Sequence, residues 1–336
     1  MTPAVAYEVL APPKLGQVSE RTNGDLVSEV WRGLLLRPRS LSPWMFYDAR
    51  GSRLFERITM LPEYYLTRME RHILSARAHE MLKAARNGGG NRLRFVELGA
   101  GTASKTGILL EEAVRRQSEV LYVPADVSPE ALNAARASIS RRLRGVRVEP
   151  IVANYVTNPP RLQPYEGNTL ALYIGSSIGN FSPGEARTIL QNLRTQLKAG
   201  DALLLGTDMV KDEETLLTAY DDAEGVTAAF NLNLLCRLNR ELDADFDLGA
   251  FRHRTVWNAA ESRIEMHLES LREQRVRIPK AWVSIQFSAG ETIHTENSYK
   301  FVEGDIRHLL ADTGFQMEKI WLDERHWYAV TLGRVA

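Results

Sequence analysis

One cysteine, Cys236, stands in 336 residues, so the chain can close no internal disulfide and build no thiolate metal cluster. It lies in the apolar run Leu234-Leu235-Cys236 with no CxxC partner, which suits a small core residue. Net charge is missing too: 42 Lys and Arg against 42 Asp and Glu leave zero at pH 7. Nucleic-acid binders and proteins of acidic membrane surfaces usually carry a basic excess that displaces counterions, so neither partner is expected. No stretch approaches the roughly 18 consecutive apolar residues that span a bilayer. The first residues, MTPAVAYEVLAPPKLGQ, have neither the basic start nor the apolar centre of a secretory leader, and a cytoplasmic location is the expectation. The seven histidines show no HxxxH or HExxH spacing, so no metal is expected. What is present is ordinary for a folded protein: 44% apolar and 25% charged residues. At roughly 150 residues per domain, the length amounts to about two domains or one enlarged one.

Residues up to about Lys14 are Pro-rich and aperiodic and read as an arm. Apolar residues recur at helical spacing over 26–36, aromatics crowd a turn over 42–48, and a long helix is predicted over 67–85. Asn87-Gly-Gly-Gly-Asn91 reads as a flexible joint. Beyond it, strands at 93–98, 120–124, 146–152, 169–174 and 202–205 alternate with helices at 104–116, 129–143 and 183–198. Ser182, Pro183 and Glu185 open the last of these helices with a capping box. Such alternation means a parallel, doubly wound sheet. It stops after Leu205: residues 211–241 read as helical, and 263–271, 275–278 and 282–287 as antiparallel strands. A helix at 302–313 and strands at 318–322 and 326–332 close the chain. The fold expected is α/β, a seven-stranded Rossmann-like sheet with an antiparallel edge, interrupted by a second, inserted α+β domain. The boundaries are 1–70 for an N-terminal segment packing with the insertion, 71–209 and 301–336 for the sheet core, and 210–300 for the insertion.

The first strand ends in Phe95-Val96-Glu97-Leu98-Gly99-Ala100-Gly101, two glycines where the backbone must turn sharply and approach a ligand. A dinucleotide fingerprint wants a third glycine at 104, where this chain has Ser104 followed by Lys105. Asp126 closes the second strand, placed to accept from ribose hydroxyls. With Glu97 and the terminal hairpin, this pattern favours S-adenosylmethionine (SAM) over a nicotinamide cofactor or a purely structural turn. Asn154-Tyr155 ends the third strand, where an amide and a ring suit adenine or else form a polar turn. Lys105 suits a cofactor carboxylate or a solvated helix start. Gly175-Ser176-Ser177-Ile178-Gly179-Asn180 follows the fourth strand at the same sheet edge, and an amide there can orient an amine N–H while leaving its lone pair free. Glu296 and Ser298, at i and i+2 on an extended segment, point to one side; a carboxylate and a hydroxyl match the donor and acceptor of a neutral imidazole.

Seven blocks in order, FYDARGSRLF (46–55), LPEYY (61–65), ELGAGTASKT (97–106), GSSIGNF (175–181), LLGTDMVKD (204–212), AYDDAEGVTAAFN (219–231) and TENSYKF (295–301), resemble the histidine N-alpha-methyltransferases of ergothioneine biosynthesis. The resemblance runs from about Ser42 to near the C-terminus. It implies trimethylation of the amino group of L-histidine to hercynine, with SAM leaving as S-adenosylhomocysteine. It implies that Tyr64, Asn180 and Tyr220 meet the amino-acid end of histidine and that Glu296 and Ser298 hold the imidazole. Tyr47 and Phe55 wall the pocket around the methylated ammonium, with Asn180, Tyr220 and Tyr47 acting at the reacting amine and Met266 lining the side-chain pocket. Gly99, Lys105, Asp126, Asn154, Tyr155, Gly175 and Ser177 hold SAM. Methyl transfer from a sulfonium is an in-line displacement governed by positioning, and aromatic faces accommodate the cationic product. The chain departs from the family at Asn154-Tyr155, where Asp-Phe is common, at Ser177, where Thr is expected, and at Asn297, where a small apolar residue is expected. A monomer acting on one small zwitterion is the expectation. Another free amino acid such as tyrosine or tryptophan is the alternative acceptor; an RNA or protein methyltransferase and a non-catalytic SAM-binding protein are further readings.

Overall fold

The computed structural model describes residues 7–9, 26–86, 92–155 and 159–335, so the glycine joint at 87–91 lies outside the described residues. The chain divides into two compact units, Tyr65–Lys211 with Tyr299–Ala336, and Met1–Tyr64 with Asp212–Ser298. The sequence reading drew its breaks at 70/71, 209/210 and 300/301.

In the first unit the strands run across the sheet in the order Phe315–Leu322, Tyr328–Val335, Ala202–Asp208, Asn168–Tyr173, Leu93–Leu98, Val120–Asp126 and Val146–Val148. The two pairings at the hairpin edge are antiparallel and the others parallel. The short strand Ile151–Val152 also pairs with Val120–Asp126, giving eight strands among the described residues rather than seven. The single run expected over 146–152 is split at Pro150, which has no N–H for the ladder. Leu93–Leu98 and Ala202–Asp208 are buried along their whole length, as strands of a parallel sheet covered on both faces must be. Leu93–Leu98 lies between Asn168–Tyr173 and Val120–Asp126, so the strand order reverses there and the crevice beyond its C-terminal end is the ligand position of such sheets. Helix Pro183–Arg194 starts with the Ser182/Glu185 capping box read from the sequence.

The second unit packs helix Val226–Leu242 with helix Ala49–Ile58 and two small sheets. One sheet has the order Arg39–Ser40, Thr292–Tyr299, Arg263–Ser270, Phe251–Asn258; the other has Tyr7–Val9, Val283–Phe287, Gln274–Ile278. Three expectations change here. Part of the supposed arm, Tyr7–Val9, is a strand paired with Val283–Ile285, a partner too distant in sequence to be read locally. The long helix over 211–241 is two helices, Glu213–Thr218 and Val226–Leu242. Asp222 starts the second by accepting the N–H groups of Val226 and Thr227 at 2.8 and 2.7 Å, while Gly225 takes a left-handed φ of 70°. Cys236, expected in the core, is half-buried with Arg50 Nη1 3.6 Å from its sulfur.

Candidate functional site

On the sheet unit, Gly99 and Gly101 hold φ of 68° and 50°, which L side chains rarely adopt. A Cβ at Gly101 would meet nothing within 4 Å, and one at Gly99 would stand 3.3 Å from the Tyr155 hydroxyl. The glycine turn therefore leaves an open cradle beside an aromatic ring. Asp126 receives the N–H of Gly101 at 3.2 Å and of Ser128 at 3.0 Å, one on each oxygen, which fixes the carboxylate while leaving lone pairs on both. Tyr155 packs edge-on to Tyr173 and Phe181, with ring centroids 5.7 and 6.0 Å away. Burial pushes its phenol well above the usual range, so this ring is a neutral platform. Gly175, Gly99, Gly101, Asp126, Asn154, Tyr155 and Ser177 all stand at or just beyond the C-terminal ends of the parallel strands.

The fourth-strand loop has its own anchor. Gly175 and Ser176 take φ of 86° and 56°, and a Cβ at Gly175 would lie 3.0 Å from Lys105 Nζ. Ser177–Asn180 form one 3-10 turn, with the Ser177 hydroxyl donating to the Ile174 carbonyl at 3.4 Å. Gly179 cannot be larger, since its Cβ would fall 2.8 Å from the Tyr299 carbonyl oxygen. Glu70, fully buried on helix Tyr65–Ala85, ties these loops together. It pairs with Lys105 Nζ and accepts from the Gly175 N–H and the Tyr328 hydroxyl, both at 2.7 Å. The sequence reading missed Glu70, because nothing local marks it and its partners lie 35, 105 and 258 residues away. Asp208, equally buried, is held by Tyr65 and by two lysines, Lys211 at 2.6 Å and Lys300 at 2.7 Å.

Glu97 is the next-to-last residue of strand Leu93–Leu98. It is buried beneath the loop and accepts from Thr106 at 2.6 Å and from the Tyr122 hydroxyl. Burial raises it to about 7, against the opposing hydrogen bonds from Thr106 and Tyr122. Between the ordinary value of 4.5 and 7 the folded chain thus keeps a proton that the unfolded chain has released, so this group's contribution to stability falls as pH rises through that window. Urea unfolding at pH 5 and pH 8 should show wild type losing up to about 3 kcal/mol relative to Glu97→Gln. Parallel pH profiles for the two proteins would contradict the assignment.

On the other unit, the residues picked from the sequence gather into one constellation. The Tyr220 and Ser298 hydroxyls are hydrogen-bonded at 2.7 Å. The Tyr64 ring stands edge-on to Tyr220 at 6.1 Å and to Phe55 at 6.4 Å, and Phe55 is edge-on to Tyr47 at 5.8 Å. Phe230, which the sequence reading did not single out, closes the series 5.9 Å from Tyr47 and 6.0 Å from Phe55, stacked on Phe46 at 4.4 Å. Glu296 and Ser298 lie on strand Thr292–Tyr299, both buried. Met266 is buried on the neighbouring strand Arg263–Ser270, its carbonyl held by the Thr295 hydroxyl at 3.0 Å. Two groups fix the Tyr220 carbonyl: His253 Nε2 at 2.8 Å and the Thr255 hydroxyl at 3.0 Å. Asn180 belongs to the sheet unit.

A parallel sheet with an antiparallel hairpin edge, a glycine turn after its central strand and an acidic residue closing the next strand define a SAM-dependent methyltransferase. The chain belongs to the family of histidine-specific, SAM-dependent methyltransferases, whose profile matches residues 26–335. It is similar to the histidine N-alpha-methyltransferases of Mycobacterium tuberculosis (strain CDC 1551 / Oshkosh) and Mycolicibacterium smegmatis. Identity is 42% over 304 and 306 residues respectively, covering 90% of this chain and 93% of each relative. Ergothioneine biosynthesis protein 1 of Neurospora crassa is 34% identical over 205 residues, 60% of this chain and 23% of that protein. No helix among the described residues is long and apolar enough to cross a membrane.

Proposed function

We propose that the protein trimethylates the alpha-amino group of L-histidine to hercynine, the first step of ergothioneine biosynthesis. The observation that carries this reading is the buried carboxylate and hydroxyl of Glu296 and Ser298, two residues apart on one strand, with Ser298 bonded to Tyr220 and rings of Tyr64, Phe55 and Tyr47 following. Glu296 accepts from one imidazole nitrogen and Ser298 donates to the other, a match for the one donor and one acceptor of a neutral ring. Tyr64, Tyr220 and Asn180 bind the carboxylate and amine, and the Asn180 carbonyl orients an N–H without consuming the lone pair. Tyr47, Phe55 and Phe230 offer ring faces to an ammonium that gains bulk and fixed charge with each methyl. Met266 fills the apolar side of the ring pocket.

Bound SAM supplies an electrophilic methyl group. Asp126 holds the ribose hydroxyls, Asn154 and Tyr155 the adenine, Lys105 the carboxylate, and Gly99, Gly175 and Ser177 allow close backbone approach. These residues fit such a ligand because the glycine turn is open at Gly101 and Asp126 keeps lone pairs on both oxygens. The chain acts as a monomer in this account.

A competition among the twenty amino acids for radiolabelled methyl from SAM tests the acceptor. Histidine should dominate the labelled product; preferential labelling of tyrosine or tryptophan would replace this reading with another amino-acid N-methyltransferase.

A further inference from the structure

We propose that Glu265, His267 and His294 form a binding site for a divalent transition ion of the zinc, cobalt or nickel class. They lie on the adjacent strands Arg263–Ser270 and Thr292–Tyr299, and the methyl-transfer account uses none of them. Glu265 and His267 are at i and i+2, on one face of their strand. The His294 ring comes from the neighbouring strand to within 5.0 Å of the His267 ring, centroid to centroid, tilted by 40°. One ligand atom from each of the three residues lies within 4.8 Å of the others. Ligands at about 2.0–2.2 Å from a tetrahedral ion are roughly 3.4 Å apart, so a separation of up to 4.8 Å must close by at most about 1.4 Å, within the reach of side-chain rotation. Two imidazoles and one carboxylate are the donor set such ions take, and three protein ligands leave a fourth position for water.

The surrounding contacts already orient these groups as a metal site requires. His294 Nε2 lies 3.1 Å from the Glu296 carbonyl oxygen, which only accepts, so the proton sits on Nε2 and Nδ1 keeps its lone pair. Metal-bound histidines usually donate their second nitrogen in this manner. Asn258 at 2.9 Å and Arg263 at 2.8 Å both bind one oxygen of Glu265, leaving the other oxygen 3.1 Å from His267 Nε2. His267 Nδ1 is buried and has no hydrogen-bond partner. An ion shared by Glu265 and His267 would bind Nε2, the nitrogen that faces the carboxylate oxygen, in place of the proton held between them. Burial lowers both imidazoles below their ordinary value, against the opposing pull of Glu265, which keeps their lone pairs available near neutral pH. The Arg263 guanidinium beside Glu265 opposes a second cation and weakens the site without blocking the far oxygen. A search for helical metal motifs passes over this trio, because two of its members come from one strand and the third from 27 residues further on.

The test uses the full chain, free of affinity-tag histidines, stripped with EDTA and titrated with cobalt chloride. Cobalt absorption bands in the visible range should saturate at one equivalent and be displaced by zinc. His267→Gln and His294→Gln should each weaken cobalt binding by more than about tenfold, while His308→Gln, a change at an exposed histidine, should leave it intact. Binding of S-adenosylhomocysteine by calorimetry checks that the variants are folded, and Glu265→Gln serves if a histidine variant is not. Absence of the bands in wild type at stoichiometric cobalt, or their persistence in folded variants of the trio, would overturn the proposal.

Discussion

Glu296→Ala should lower kcat/KM for histidine by about 10- to 100-fold, with most of the loss in KM. The side chain is 8% exposed, so water cannot replace it cheaply. On the proposed reading it accepts a hydrogen bond from an imidazole nitrogen, and a bond to a charged group contributes about 1.5–3 kcal/mol. The reacting amine is at the other end of the substrate, which is why kcat should change less. Discrimination should collapse along with affinity, because a site built to bond a polar group rejects analogues that leave it unpaired. Histidine should then compete only weakly against other amino acids. Glu296→Gln, which keeps one acceptor, should fall between the two. An unchanged preference for histidine in Glu296→Ala would remove this residue from the recognition of the ring.

Glu70→Ala should cost about 3–5 kcal/mol of stability, the scale for breaking a buried ion pair by deleting one partner. Three groups lose their acceptor at once: the Lys105 ammonium, the Gly175 N–H and the Tyr328 hydroxyl. Gly206 makes room for the carboxylate, since a Cβ there would lie 2.3 Å from a Glu70 oxygen. Because Gly175 and Lys105 are proposed to hold SAM, affinity for S-adenosylhomocysteine should fall in the same variant. Glu70→Gln keeps an acceptor and should lose less of both. Denaturant unfolding gives the first quantity and calorimetry the second. Unchanged unfolding and unchanged binding in Glu70→Ala would show that the network is not what fixes these loops.

The sheet was legible in the sequence because its strands are buried on both faces and read as short apolar runs between turn residues, as in Leu93–Leu98 and Ala202–Asp208. The capping box at Ser182 and the glycine turn at Gly99 were visible for local reasons of the same kind. Strand Phe251–Asn258 was missed because it alternates with arginines and a histidine and offers no apolar run. The helix break at Asp222 had a signal, an Asp followed by Gly225, masked by the helical composition on either side. In the candidate site, Tyr47, Phe55, Tyr64, Tyr220 and Ser298 were named from matching blocks, and their mutual contacts are a finding of the structure. Glu70, Phe230, His253 and the Glu265–His267–His294 trio were out of reach. Each acts through partners that only the tertiary fold brings near.

The central claim is tested most directly by incubating the purified full chain with SAM and L-histidine and locating the added methyl groups by fragmentation mass spectrometry. The account predicts histidine carrying three methyl groups, all on the alpha nitrogen, with the imidazole unmodified. Methyl groups on the ring, or no methylated histidine from folded protein that binds S-adenosylhomocysteine, would contradict it.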